Sequence, residues 1–187
     1  WLSYFLFFLL FKLLAAQGSF TEMEGFTRLT ATVDAKPDGL ETEIPSIFTS
    51  SYSDEFLANY FHFGVLNRPR SFDILFSTPE LLKQITSLYV LIAETDHVLM
   101  KPLPNLAEES RPAGFDFGYM HANERQNQII RKYWPGGDYH KIEPVGPSPL
   151  MIHVDQLRAI TPLWLNFSLG LRSNKEAESV IQGWVQE

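Results

Sequence analysis

Leu88-Tyr89-Val90-Leu91-Ile92-Ala93-Glu94-Thr95-Asp96-His97-Val98-Leu99-Met100-Lys101-Pro102-Leu103-Pro104-Asn105-Leu106-Ala107 opens as an unbroken apolar run and passes at once into acids. A run of this length after a helical pattern predicts a central strand buried on both faces. In a layered α/β sheet the ligand crevice lies at the carboxyl ends of strands, which is where Glu94, Asp96 and His97 stand. If the chain stays extended, residues two apart share a face, so Glu94 and Asp96 would aim two carboxylates at one point. A hard divalent cation, Mg²⁺ or Mn²⁺, shared with a diphosphate would relieve their repulsion. The competing reading makes the acids caps of the following turn and His97 a packed or backbone-bonded ring.

Outward from this run, short apolar stretches alternate with helical patterns, as in an α/β layered domain. Phe26 to Val33 reads as a strand, Lys36 to Gly39 as a turn, and Glu41 to Asp54 as irregular. Thr78-Pro79-Glu80 predicts a helix start with a capping hydroxyl, running to about Ser87 with Leu81, Leu82 and Ile85 inward. Asn123 to Tyr133 reads as a helix stopped by Pro135-Gly136-Gly137. Pro149 to His153 reads as a short strand leading into a helix around Asp155 to Ile160. Ser173 and Glu176 are spaced as a capping box for a last helix reaching Glu187.

Trp1 to Ala16 is apolar except for Ser3 and Lys12. It falls short of the roughly 20 apolar residues of a membrane span, so a buried helix leads and a truncated anchor is the alternative. The first residue is Trp1 rather than Met, which suggests a fragment or a processed product. The 187 residues suit one domain and show no internal boundary. With 45% hydrophobic residues the chain can bury a core, and a net charge of −7 without a basic cluster argues against a nucleic-acid partner. The absence of Cys excludes disulfides, a thiolate zinc site and a Cys nucleophile. His62, His121, His140 and His153 form no metal-binding pair, and neither G-x-S-x-G nor H-E-x-x-H occurs.

Several motifs, in order along nearly the whole chain, resemble those of the plant and algal hydroxyproline O-arabinosyltransferases. The acidic E-x-D-H followed by K-P-L-P-N-L-A is one. Glu22 to Leu29 is similar to E-M-G-G-F-T-R-I, and Val65-Leu66-Asn67-Arg68-Pro69 to V-L-N-R-P. Pro144 to Pro149 resembles P-I-G-N-S-P, with Pro147 in place of Asn. Thr161 to Ser168 resembles A-P-T-W-M-N-V-S, and Gly183 to Glu187 resembles G-W-V-L-E. Peptidyl serine α-galactosyltransferases are a related match.

The resemblance implies a GT-A-like (Rossmann-like) glycosyltransferase domain with a mixed central sheet flanked by helices. It also implies a divalent metal, Mn²⁺ first among candidates, held against a nucleotide-sugar diphosphate by Asp96, with Glu94 as second ligand or orienting group. His97 would neighbour the donor; Arg28, Asn67, Arg68 and Ser148 would line its site; Glu187 and Asn166 would act near the reacting sugar. For each arginine a salt bridge to a carboxylate is the plainer account, and Trp164 is a sugar platform or core. Asn166-Phe167-Ser168 also fits an N-glycosylation sequon. The implied reaction is metal-dependent, retaining transfer of L-arabinofuranose from a UDP-sugar donor to a hydroxyproline-rich peptide or protein acceptor. The alternatives are serine galactosylation or a non-catalytic sugar- or peptide-binding module. A Golgi location follows, with the domain lumenal and its membrane anchor upstream of this chain.

Overall fold

The computed structural model describes residues 2–16, 22, 25–118 and 121–181. Its seven α-helices, three short 3-10 helices and five strands among these residues make a mixed α/β arrangement with two small sheets. The first helix, α1 (Leu2–Ala16), forms as its apolar sequence predicts. Phe7, Phe8 and Phe11 close around Phe26, with ring centroids 5.7, 5.1 and 5.5 Å away. Buried Ile44 and Leu99 complete this core. No helix among the described residues is long and apolar enough to cross a membrane.

Strand β1 (Arg28–Thr32) is shorter than the sequence suggests and pairs in parallel with β2 (Ser46–Ser50). The second strand lies inside the segment expected to be irregular. Its Ser/Thr content hides an inward pair, Ile47 and Thr49, both almost wholly buried. Gly39 supplies the positive φ of 92° in the connecting loop, a conformation that costs glycine little. Two further helices were not legible: α2 (Asp54–Ala58), capped by Ser53, and α3 (Asn67–Ser77), whose Pro69 fits the first turn, where no amide partner is needed.

The helix expected over Thr78 to Ser87 is a single turn, α4 (Pro79–Leu82), and the Thr78 side chain makes no capping bond. Strand β3 (Tyr89–Ile92) forms where the apolar run predicts it, but not as a central strand. The three-stranded antiparallel sheet is ordered β3-β5-β4, with β4 at Ala113–Asp116 and β5 (Val145–His153) in the middle. Every residue of β3 is only half-buried. The strands therefore divide into two sheets instead of one mixed sheet.

Strand β5 is longer than the Pro149–His153 expected. It tolerates Pro147 and Pro149 because the ladder to β4 jumps from Gly114 opposite Leu150 to Asp116 opposite Val145, while the ladder to β3 ends at Ile92 opposite Leu150. The prolines thus sit where no amide is needed.

Helix α5 (Glu124–Tyr133) carries a capping box between Asn123 and Gln126, and Gly136 follows with φ 79°. Helix α6 (Val154–Ser173) runs far past Ile160 and through Pro162. Buried Leu157 and Thr161 hold one face, and Trp164 packs on Phe72 of α3 with centroids 5.9 Å apart. Packing overrides the helix-breaking residue there. Helix α7 (Lys175–Ile181) is capped by Asn174, whose Oδ1 accepts from the amides of Glu176 and Ala177 at 3.1 and 3.3 Å. Ser173 does not cap it; its hydroxyl donates backward to the Gly170 carbonyl. The final stretch to Glu187 lies outside the described residues.

Candidate functional site

A cavity of about 550 Å³ opens between β1 and β3, walled by α3 and β5. The parallel ladder uses the main-chain groups of Arg28, Thr30 and Thr32, since the Arg28 amide reaches the Pro45 carbonyl and the Thr32 carbonyl accepts from Ser51. Leu29 and Ala31 therefore turn their amides and carbonyls away from β2, toward the cavity they line. On the opposite wall the Val154 amide bonds the Leu88 carbonyl. That register leaves the main chain of Tyr89 and Leu91 on the edge of β3 away from β5. Two strand edges thus border one cavity.

At the carboxyl end of β3 the chain does not stay extended. It turns through Thr95 and Asp96, closed by the His97 amide on the Glu94 carbonyl at 3.2 Å and by the Glu94 amide on His97 Nδ1 at 3.2 Å. Because Nδ1 accepts, a neutral His97 carries its proton on Nε2. The turn separates the two acids that extended geometry would align. Glu94 lines the cavity, whereas Asp96 is exposed to solvent and its carboxylate has no partner among the described residues. Leu99, buried against α1, anchors the chain beyond the turn.

Glu94 Oε1 meets Arg68 Nη2 at 2.9 Å, with both side chains partly exposed. Arg68 stands in the first turn of α3, between two residues that are tied down. Asn67 Oδ1 accepts from the Tyr52 amide at 2.8 Å, so Asn67 lines the cavity as a turn fastener. Arg70 donates to the Ser50 carbonyl at 2.9 Å and lies 4.1 Å over the Tyr52 ring.

Arg28, only 2% exposed, forms two bonds to the Asp38 carboxylate at 2.6 and 2.7 Å and a third to Ser46 Oγ at 3.0 Å. Its guanidinium holds the Asp38 carboxyl below its ordinary range. Arg28 has the carboxylate pairing that was the plainer reading. Ser148 is buried on the cavity wall, its hydroxyl directed at the Ile92 carbonyl 3.5 Å away.

Asn166 lies exposed in the middle of α6, apart from the cavity lining. Trp164 faces Phe72 and belongs to the packing. Glu187 lies outside the described residues. Sequence reasoning also missed Asp38, whose only signal was its place in a turn, and the bond from the Asn105 amide to Glu22 Oε2 at 2.6 Å. That bond joins the E-M-E-G-F-T-R-L and K-P-L-P-N-L-A motifs at the cavity, a juxtaposition 83 residues apart in the chain.

Among the described residues no three His, Cys, Asp or Glu side chains form a group that could hold a metal ion. A cation caged by protein alone does not fit. A hard cation that draws most of its oxygens from water and a diphosphate needs only one or two carboxylates; of the two acids Glu94 lines the cavity and Asp96 does not.

The family described as the hydroxyproline O-arabinosyltransferase family N-terminal domain matches residues 1–187. The chain belongs to that family. Hydroxyproline O-arabinosyltransferase 1 of Arabidopsis thaliana is 34% identical over 178 residues, covering 94% of this chain and 46% of that protein. Hydroxyproline O-arabinosyltransferase RDN2 of Medicago truncatula is 36% identical over 89% of the chain and 44% of its own length. Hydroxyproline O-arabinosyltransferase NOD3 of Pisum sativum is 37% identical over 88% and 47%. The chain spans less than half the length of these curated relatives. No solved structure matches it.

Proposed function

We propose that this chain forms the donor-binding part of a GT-A-like glycosyltransferase that moves L-arabinofuranose from a UDP-sugar to hydroxyproline in secreted or cell-wall proteins. The observation that carries the reading is the Glu94 turn at the carboxyl end of β3, where a cavity of ligand size meets one carboxylate and the partly exposed guanidinium paired with it. Family membership supplies the sugar and the acceptor class. In this reading Glu94 and Asp96 hold a divalent cation, Mn²⁺ first among candidates, against the diphosphate. The cation would neutralise charge as the UDP leaving group departs. Arg68 offers a planar donor pair to the phosphates. Ser148 directs its hydroxyl at the Ile92 carbonyl in the wall, and Asn67 ties the start of α3, which carries Arg68, to the Tyr52 amide. Retention at the anomeric carbon, a Golgi lumenal setting and an anchor elsewhere in the protein belong to the same proposal.

Calorimetric titration of UDP into the protein, with and without Mn²⁺, tests it. Binding that appears only with the metal, and weakens on Glu94→Gln, is the expected result. A folded protein that binds no UDP under either condition would overturn it and leave a non-catalytic module.

A further inference from the structure

We propose that the cavity between β1 and β3 is the seat of one further strand, which pairs with both edges and joins the two small sheets into one. Its source is an extended apolar segment from the part of the protein outside residues 1–187. This goes beyond the donor-site reading and does not rest on it. The main chains of Leu29 and Ala31 on one side, and of Tyr89 and Leu91 on the other, turn away from β2 and β5. No hydrogen bond from another described residue reaches them. Free edges are ordinarily guarded by a charge, a proline or a bulge, and neither Leu29-Thr30-Ala31 nor Tyr89-Val90-Leu91-Ile92 carries one.

The two faces of the cavity match those of a buried strand. Val90 and Ile92 pack into the cluster of Phe76, Ile152 and Leu157, whereas Ala93, next in the alternation, packs into the α1 cluster. Both clusters line the cavity, through Phe72 and Phe76 from the first and Phe7, Phe11 and Phe26 from the second. A segment lying in plane with β1 and β3 is thereby covered above and below, which calls for a continuous apolar run. The same insertion accounts for β3, which has the composition of a strand buried on both faces and yet is only half-buried at every residue.

The occupant must bond two ladders at once, so it needs amides on both of its edges. A hydroxyproline-rich acceptor fails that requirement, because each imino acid lacks the N–H. The lengths point to the protein's own sequence, since the chain spans less than half of its curated relatives. Glu94, with Arg68 paired to it, lies past the last laddered residue of β3, Ile92. The strand therefore fills the interior and leaves that charged corner to a ligand.

Hydrogen exchange resolved by residue tests the assignment. In the 187-residue chain alone, the amides of Thr30 and Val90, bonded to β2 and β5, are expected to exchange at least about tenfold more slowly than those of Leu29, Ala31, Tyr89 and Leu91. Short peptides tiling the part of the Arabidopsis relative outside its matched 178 residues, each flanked by lysines for solubility, are then added one at a time. One apolar peptide is expected to slow all four edge amides at least about tenfold, and a copy with alternate amides N-methylated is expected to have no effect. If no peptide slows the four amides of the folded chain, the strand assignment is wrong. It is equally wrong if UDP or an oligohydroxyproline peptide slows them instead, since the cavity is then an open donor or acceptor groove. Calorimetry with UDP reads the donor site separately, so either proposal can fail alone.

Discussion

Arg28 and Arg68 look alike in sequence, each next to last in a recognisable motif, yet burial gives them different work. Arg28 is enclosed and doubly bonded to Asp38, so it fastens the β1–β2 connection to the sheet. Its partner's carboxyl is depressed, chiefly by the Arg28 hydrogen bond. A depressed acid adds stability above its unfolded value, near 3.8, and that contribution is lost as pH falls through the folded value. Asp38→Asn is therefore expected to cost about 1–2 kcal/mol at pH 7. In urea unfolding curves the gap from wild type should close as the buffer is taken below pH 3.8. A gap independent of pH would assign the effect to packing. The residue type made both arginines visible in the sequence. Which one was sealed depended on Asp38 and Ser46, whose approach is set by the loop and by a strand that the sequence did not reveal.

At the level of elements, the legible features were those carried by local chemistry. Helix α5 announces itself through Asn123 and a Pro-Gly-Gly stop, and β3 through its apolar run. Features decided by distant partners were not legible. Strand β2 hides behind serines and threonines, and α6 crosses Pro162 because Leu157, Thr161 and Trp164 are held from the far side. The extended geometry assumed for Glu94 to Asp96 failed because the chain turns as soon as it leaves the β5 ladder at Ile92. The cap of α7 is a one-residue version of the same lesson, since Ser173 and Asn174 are both capping types and the observed bonds choose Asn174. Asn174→Ala should lower stability by about 1 kcal/mol, against a few tenths for Ser173→Ala. Equal losses in thermal unfolding would return the cap to Ser173.

On the scale of the whole molecule, α1 is the lid of a core assembled from remote parts: Phe26 before β1, Ile44 before β2 and Leu99 beyond the Glu94 turn. Phe26 is the shared centre of three ring contacts. Phe26→Ala is expected to cost about 3 kcal/mol and to quicken tryptic cleavage at Lys12. Unchanged cleavage would mean that α1 docks without it. The apolar character of α1 was plain in the sequence, but its covering role depends on residues up to Leu99.

Strand β3 has its ladder partner in β5, and Ser148, which faces the Ile92 carbonyl, follows it by 56 residues. A ribosome adding about 5–20 residues per second reaches Ser148 roughly 3–11 s after Ile92. During that interval the strand that will carry Glu94 lacks its one sheet neighbour among the described residues, β5, while Arg68 has already been made. The acid can meet its cation before it has a wall to stand on, so charge neutralisation at this corner can precede the shape of the pocket in the birth of each molecule.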